Sequence, residues 1–409
     1  MRGVSAQARA LWRARVDLLR QVEETVGELP QVWREAFLGV PRHVFLPDLV
    51  WLRRPDGDRH ERCERVREPK RWWAAAYADV PVVVQMCDGG APRPDGALWP
   101  SSSASQPSIV AAALLALEVA DGHRVLEIGT GTGWNAGLLA HRLRDDQRLV
   151  TIEVDPHLAR IARARLAALG RHPTVVWGDG ADGWATGAPY DRVLSTAAVT
   201  HIPPAWIRQC RPGAVIVTPW ATAWTANGTL VATVDAQGRA QGRFRAGGAF
   251  MHLRGHRSRI SDVYEVVSPE HVATPSTTAV SPWDVAGGNL AAEFAIGLMT
   301  PGVWQHWDEN PDVDGVHTRL WVGDEAGTSW ASVDYDGRRL DTFAVHQHGP
   351  RRLWNEVEAA WSTWCAADRP GMEAFGWTVS ADGTQGARVP SLTDAFPSGH
   401  DAAGPSWSL

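Results

Sequence analysis

Ser101, Ser102, Ser103 and Ser105 lie in WPSSSASQPSIVAAALLAL (Trp99–Leu117), immediately ahead of an apolar run that opens at Pro107. Hydroxyls and free backbone N–H groups at the start of a helix form a site for an anion such as a carboxylate. A serine there can equally do no more than cap the helix. A second group of residues follows. Glu127, Gly129, Thr130, Gly131 and Gly133 sit in VLEIGTGTGW. Glu153, with Val154 beside it, ends the next apolar run, 24 positions after Gly129 (153 − 129). Asp179 and Gly180 end a third run in TVVWGDG. Glycines after a buried strand let the backbone turn tightly and approach a ligand, and carboxylates at neighbouring strand ends can hold a ribose and reach an adenine. The chemistry is nucleoside binding beside a site for an anion.

The glycine spacing decides which nucleoside. A dinucleotide fingerprint reads G-x-G-x-x-G, and Trp134 stands where its last glycine should be. The G-x-G-x-G form suits a ligand without a pyrophosphate. S-adenosylmethionine is such a ligand, with S-adenosylhomocysteine as its product. A Rossmann dehydrogenase is disfavoured by Trp134.

These residues need a sheet to bring them together. From Pro107 onward, helical stretches (109–119, 134–143, 156–169) alternate with short apolar strands (124–129, 148–154, 174–180, 190–198, 213–219). That alternation predicts an α/β fold, Rossmann-like, with a mostly parallel sheet and helices on both faces. Thr229–Asp235 and Gly242–Arg245 suit an antiparallel hairpin at the sheet's end. Upstream, Leu11–Val26 and Gln31–Phe37 have helical spacing, Pro55–Lys70 reads as a charged surface excursion, and the serine run reads as a slack turn. After Arg257 the alternation stops. Ser268–Asp284 is rich in Ser, Thr and Pro and predicts a linker. Strand-like pieces then lie in Gly315–Val345, an amphipathic helix in Arg351–Ala367, and a loose tail from Gln385. The expected divisions are 1–106, with N-terminal helices and substrate-side loops; 107–257, the nucleoside-binding core; and 258–409, an α+β extension for peptide recognition or dimerisation.

Composition excludes several classes. The 409 residues are 44% hydrophobic with a net charge of −6, so no basic field invites nucleic acid or an anionic membrane. No run of 18 apolar residues exists, and the basic amphipathic N-terminus lacks the apolar core of a secretory signal, so a cytoplasmic location is expected. Cys63, Cys87, Cys210 and Cys365 lie far apart, suggesting neither a metal site nor a disulfide framework.

Six stretches carry a resemblance in order: Ala36–Asp48 (AFLGVPRHVFLPD), Ala76–Pro81 (AYADVP), Ser103–Ala111 (SASQPSIVA), Val125–Ala140, Gly178–Gly180 and Ala188–Ala198. Together they resemble the protein-L-isoaspartate O-methyltransferase family, a branch of the class I S-adenosylmethionine-dependent methyltransferases. The resemblance implies methylation of an isoaspartyl carboxylate and collapse of the ester to a succinimide. It also implies that Ser105 and Ser103 match a family Thr-x-Ser-x-Pro turn that faces the donor and cradles the peptide carboxylate. Ser101, Ser102 and Gln106 join them on the substrate side. His201, in STAAVTHIPP at the rim, is a further candidate contact. An ionised carboxylate is already nucleophilic, since a free Asp has pKa ~3.9, so no general base is required.

Two departures stand out. Gln85–Leu98 is an insertion directly before the serines, able to serve as a lid, a peptide-docking loop or a plain excursion. About 150 residues follow Arg257, and Gly349–Gly383 resembles the methyltransferases of ATP-grasp (graspetide) peptide maturation. The main expectation is therefore methylation of an aspartate side chain in a ribosomally made, ATP-grasp-crosslinked precursor peptide, driving aspartimide formation, with the ATP-grasp ligase as a further partner. Isoaspartyl repair and a non-catalytic donor-binding scaffold are the alternatives. The oligomeric state is left open.

Overall fold

The computed structural model describes residues 6–54, 59–93, 96–258, 260 and 262–388. Helices α1 (Ala6–Val26) and α2 (Gln31–Gly39) come first. Strands β1 (Leu49–Arg53) and β2 (His60–Glu64) pair antiparallel, and α3 (Pro69–Ala76) leads to β3 (Val82–Met86). Strand β4 (Pro100–Ala104) closes a four-stranded sheet of order β2-β1-β3-β4. Two expectations are corrected here. The excursion 55–70 contains a paired strand, apart from 55–58, which lie outside the described residues. The serine run is not slack: Ser103 pairs with Val83 and Ser102 with Gln85.

Helix α4 (Pro107–Leu117) opens the alternating part. It continues through β5 (Val125–Ile128), α5 (Trp134–Leu143), β6 (Leu149–Glu153), α6 (Pro156–Ala168), β7 (Thr174–Trp177), β8 (Tyr190–Ser195), α7 (Pro204–Arg208) and β9 (Cys210–Trp220). Strands β5 and β6 are buried along their whole length, as central strands covered on both faces must be. Helix α6 starts where it does because the Asp155 side chain accepts from the His157 and Leu158 amides and Pro156 fills the first helical position.

The hairpin β10 (Gly228–Val234) and β11 (Ala240–Ala246) follows, but it does not end the sheet. Beyond it lie β12 (Thr274–Thr278), α8 (Pro282–Ala286), α9 (Leu290–Met299), β13 (Val303–Asp308), β14 (Thr318–Asp324), β15 (Trp330–Tyr335), β16 (Phe343–His348), α10 (Leu353–Ala366), β17 (Gly376–Val379) and β18 (Gln385–Arg388). Strands β17 and β18 add to β11, giving a nine-stranded sheet of order β18-β17-β11-β10-β9-β8-β5-β6-β7. Its β9-β8-β5-β6-β7 half is parallel and the rest antiparallel. The remaining strands form a sheet of order β12-β16-β15-β14-β13. Ser268–Asp284 is thus no linker, since it supplies β12 and most of α8. The tail keeps its strand to Arg388, and 389–409 lie outside the described residues.

The two faces of the large sheet are covered by different parts of the chain. Helices α1 to α5 bury Leu19, Trp33, Phe37, Leu114 and Trp134 on one face. On the other, Trp206 of α7, Phe294 of α9 and Trp364 of α10 join Trp220 and Phe244. Phe244 meets Trp220 at 5.3 Å and Phe294 at 4.9 Å between ring centroids. Each such ring contributes about 1.5–3 kcal/mol by burial. The residues after 257 therefore complete the core.

One cation ties the N-terminal half together. Arg42 is 1% exposed, and its guanidinium donates to the carbonyls of Ala75, Ala78, Val80, Ala104 and Ser105. It also lies 5.4 Å over the Trp134 ring. Burial lowers its pKa to about 10, which leaves it charged near neutral pH. Removing it strands five acceptors. Arg42→Ala is expected to lower unfolding free energy by about 3–5 kcal/mol, and Arg42→Lys by more than about 2 kcal/mol, because a point charge cannot reproduce the planar fork. Urea unfolding followed by circular dichroism checks both.

Candidate active site

The glycine loop hangs from two strands. The amides of Gly129 and Thr130 both donate to the Ile152 carbonyl, at 2.8 and 3.0 Å. Gly129 has φ +86°, and a Cβ there would lie 2.6 Å from Thr196 Oγ1. Thr196 in turn donates to the Gly129 carbonyl. Gly131 has φ +52°, and a Cβ there would lie 3.7 Å from both Ser102 Oγ and the Ser103 carbonyl oxygen. The loop that follows β5 thus directly faces the serine strand β4, although 25 or more positions separate them in sequence.

Glu153 ends β6 with its carboxylate fixed, Oε2 accepting from the Gly131 amide at 2.7 Å and Oε1 from the Asp155 amide at 3.0 Å. Burial raises its pKa. Each carboxylate oxygen keeps a lone pair for a ligand hydroxyl. Glu127 is placed differently. It is wholly buried behind the loop, accepting from Asn135 Nδ2 at 2.6 Å and from the Thr151 hydroxyl. Burial pushes its pKa up to about 7 against the pull of those two donors. Thr130 is buried too, its hydroxyl 2.6 Å from that of Thr151. Glu127 and Thr130 therefore hold the loop from within, while Glu153 stands at its edge. Val154 presents its carbonyl to the Trp177 indole, 3.2 Å away, and Trp177 is 68% exposed. Asp179 caps the turn at Gly180 by accepting from the Ala181 amide at 2.9 Å. Gly180 is needed there because a Cβ would strike Ile128 at 2.4 Å. Gly133, with φ +90°, leads into α5.

The serines divide. Ser101 is a brace, donating to Gln85 Oε1 at 3.0 Å and accepting from the Asp88 amide at 2.9 Å. The hydroxyls of Ser102, Ser103 and Ser105 bond no protein group among the described residues. None caps α4. That role belongs to Asp79, which accepts from the Ser108 amide at 2.7 Å and from Gln106 Nε2 at 3.3 Å. Gln106 is therefore engaged with Asp79 and with Ser108 Oγ, 3.1 Å away. Arg42 holds the carbonyls of Ala104 and Ser105 and so sets the backbone that carries the Ser105 hydroxyl.

The insertion 85–98 is strapped down beside the strand ends. Gln85 donates to Asp155 Oδ2 at 2.8 Å. Arg257 grips Asp88 with two bonds of 2.7 and 3.1 Å, and Arg254 bridges Asp88 at 3.2 Å and Asp155 at 3.5 Å. His201 stands at the rim, stacked on His256 with ring centroids 4.2 Å apart. Burial pushes the His256 pKa down to about 4, so that ring is uncharged near neutral pH.

Sequence reasoning missed Arg42, Asp79, Gln85, Asn135, Thr151 and Arg254. Arg42 and Asp79 lie in AFLGVPRHVFLPD and AYADVP, so the resemblance pointed at their stretches without giving them a role. Asn135 follows the glycine loop as the second residue of α5, where a polar side chain on a buried face is a readable signal. Nothing in the local sequence marks Gln85 or Arg254.

Comparison with known proteins agrees with this geometry. The protein-L-isoaspartate(D-aspartate) O-methyltransferase family profile matches residues 62–251. A protein-L-isoaspartate O-methyltransferase 2 of a Polaromonas species is 40% identical over 154 residues, 37% of this chain and 72% of that protein. A protein-L-isoaspartate O-methyltransferase of Methanopyrus kandleri is 32% identical over 223 residues, 54% of this chain and 82% of that protein. A solved structure named protein-L-isoaspartate O-methyltransferase overlays 92% of this chain and 99% of its own, with a TM-score of 0.51 and 18% identity. The chain belongs to the protein-L-isoaspartate O-methyltransferase family and has the class I methyltransferase fold. The overlay extends past the alternating core: at 92% of this chain it leaves too few residues outside it for everything beyond Arg257 to lack a counterpart in fold.

The loop's dependence on Glu127 is testable by pH. Its folded-state pKa, about 7, lies above the 4.5 of an ordinary glutamate, so the native state holds the proton more tightly than the unfolded chain. The stability it contributes is complete below pH 4.5 and is lost as pH rises to 7. Glu127→Gln keeps an acceptor for Asn135, and the Thr151 hydroxyl can reverse to accept. The variant is expected to fold and to lose that decline, measured as urea unfolding free energy at pH 5 and pH 7.5.

Proposed function

We propose that this chain transfers a methyl group from S-adenosylmethionine to the free α-carboxylate of an isoaspartyl residue, whose side-chain carboxyl carries the peptide bond, in a peptide or protein. S-adenosylmethionine supplies an electrophilic methyl group on a sulfonium. The observation that carries the reading is that the Gly131 loop faces β4, so closely that a Cβ on Gly131 would lie 3.7 Å from the Ser102 hydroxyl oxygen and the Ser103 carbonyl oxygen, which sets the glycine loop beside the serine row. The backbone of Gly129, Gly131 and Gly133 leaves room for the donor, Glu153 offers its remaining lone pairs to ribose hydroxyls, and Asp179 stands toward the adenine side. Ser103 and Ser105 donate to one carboxylate oxygen of the acceptor and leave the other to take the methyl group. S-adenosylhomocysteine is the second product. No side chain need remove a proton, since the acceptor is already ionised. The next backbone nitrogen then attacks the ester carbonyl within the peptide, forming the succinimide and releasing methanol, a ring closure favoured by proximity.

A second acceptor is supported by the resemblance of Gly349–Gly383 to methyltransferases of ATP-grasp peptide maturation. It is an ordinary aspartate in a crosslinked precursor peptide, with the same ester and the same collapse to aspartimide. The repair-like reading comes first because the family profile and both relatives carry that activity in their names.

Intact masses decide between them. The protein is incubated with S-adenosylmethionine and either an isoaspartyl peptide or an ATP-grasp-crosslinked precursor. A gain of about 14 Da followed by a loss of about 32 Da, as methanol leaves in the ring closure, is expected on the isoaspartyl peptide. The same change on the precursor alone would overturn that acceptor in favour of the second. Donor binding with no change on either would leave a binding scaffold. Ser105→Ala is expected to lower kcat/KM by about 10- to 100-fold, the loss of one hydrogen bond to a charged group, with donor affinity unchanged in isothermal titration.

A further inference from the structure

A cleft of about 340 Å³ opens where the core meets the five-stranded sheet. Thr200 and His256 line it from the core, and Trp304, Gln305 and Glu325 from β13 and the turn after β14, with Asp262 between them. Thr200 lies four positions past Thr196, which bonds the glycine loop, so the cleft begins within about 14 Å of that loop along an extended chain.

Its charge is one-sided. Glu325 is exposed, and among the described residues its carboxylate accepts no hydrogen bond and joins no ion pair. Among the described residues the Asp262 carboxylate accepts only the Tyr264 amide. No lysine or arginine lines the cleft among the described residues; its basic side chains are the histidines His252, His256 and His306. The nearby guanidiniums of Arg254 and Arg257 are turned to Asp88 and Asp155. His256 is uncharged near neutral pH, as its stacking on His201 and its burial dictate. The Trp304 ring adds an aromatic wall, its indole N–H spent on the Asp324 carbonyl at 3.2 Å.

We propose that this cleft is a subsite for the peptide beside the methyl-accepting residue, and that it selects a lysine or arginine within about four residues of that acceptor, the reach of an extended chain. The carboxylates of Glu325 and Asp262 meet the cation, and Trp304 takes its alkyl stem or guanidinium face. This rests on the peptide-methylating reading above. It adds a selectivity that a donor loop and a row of serines do not provide.

The test compares two isoaspartyl peptides of equal length, one flanked by Lys or Arg and one by Glu. Wild type is expected to show a two- to five-fold lower KM for the basic peptide, the size of an exposed charge pair, at about equal kcat. Glu325→Gln is expected to reduce that preference and Glu325→Lys to reverse it, with S-adenosylmethionine affinity unchanged. Equal KM values for the two peptides in wild type, or a preference that survives Glu325→Lys, overturns the subsite. If neither peptide is methylated although the donor binds, the acceptor reading fails separately. Fluorescence anisotropy with the labelled basic peptide then decides: binding that weakens in Glu325→Lys supports the cleft, and no binding, or binding that the substitution leaves unchanged, overturns it.

Discussion

Five carbonyl oxygens converge on one buried guanidinium, that of Arg42. They come from the end of α3, the turn toward β3, and the junction of β4 with α4. A carbonyl buried without a donor is costly, so these segments are held in one arrangement or not at all. The serine strand, the capping carboxylate of Asp79 and the start of α4 follow from that arrangement. So does the approach of β4 to the glycine loop, because α5 is anchored in the same place: Trp134 lies under the guanidinium and donates to the Val40 carbonyl at 3.2 Å. A buried charge decides where the serine hydroxyls of β4 and its junction with α4 stand.

The alternating core was legible because each of its elements carries its own signal. Val125–Ile128 and Leu149–Glu153 are short apolar runs, Gly129–Gly133 is a turn that only glycines can make, and Asp155 with Pro156 announces a helix. What could not be read depends on partners distant in the chain. Pro100–Ala104 has the composition of a linker and becomes a strand because Val82–Met86 offers it an edge and Arg42 ties its far end. Thr274–Thr278 is equally unpromising and is ordered by Phe343–His348. Capping remained an alternative role for the serine hydroxyls until a carboxylate 29 positions upstream proved to hold the Ser108 amide. Glu127 and Glu153 looked alike in sequence and both are buried, but their partners differ: Glu127 accepts from the Asn135 and Thr151 side chains behind the loop, Glu153 from the Gly131 and Asp155 amides.

The electrostatics of the site are arranged with restraint. The donor side carries carboxylates, suited to a ligand that brings a positive charge. In the proposed reaction the acceptor side would carry hydroxyls, while the guanidiniums of Arg42, Arg254 and Arg257 are committed elsewhere. A full cation against the acceptor would stabilise the carboxylate before reaction more than in the transition state, where its charge is being lost. Hydroxyls orient it without that penalty.

Strands β17 and β18 reach back from the far end of the chain to extend the sheet that β5 begins. During synthesis, the face carrying Trp206, Trp220 and Phe244 emerges long before Phe294, Trp364 and Phe375 exist to cover it. The nascent chain therefore passes through a stage with a complete donor loop and an exposed aromatic wall, a state in which large chains are prone to aggregate and to occupy chaperones. Gene fission near residue 257 would make that stage permanent, leaving Trp206, Trp220 and Phe244 without the residues that cover them here.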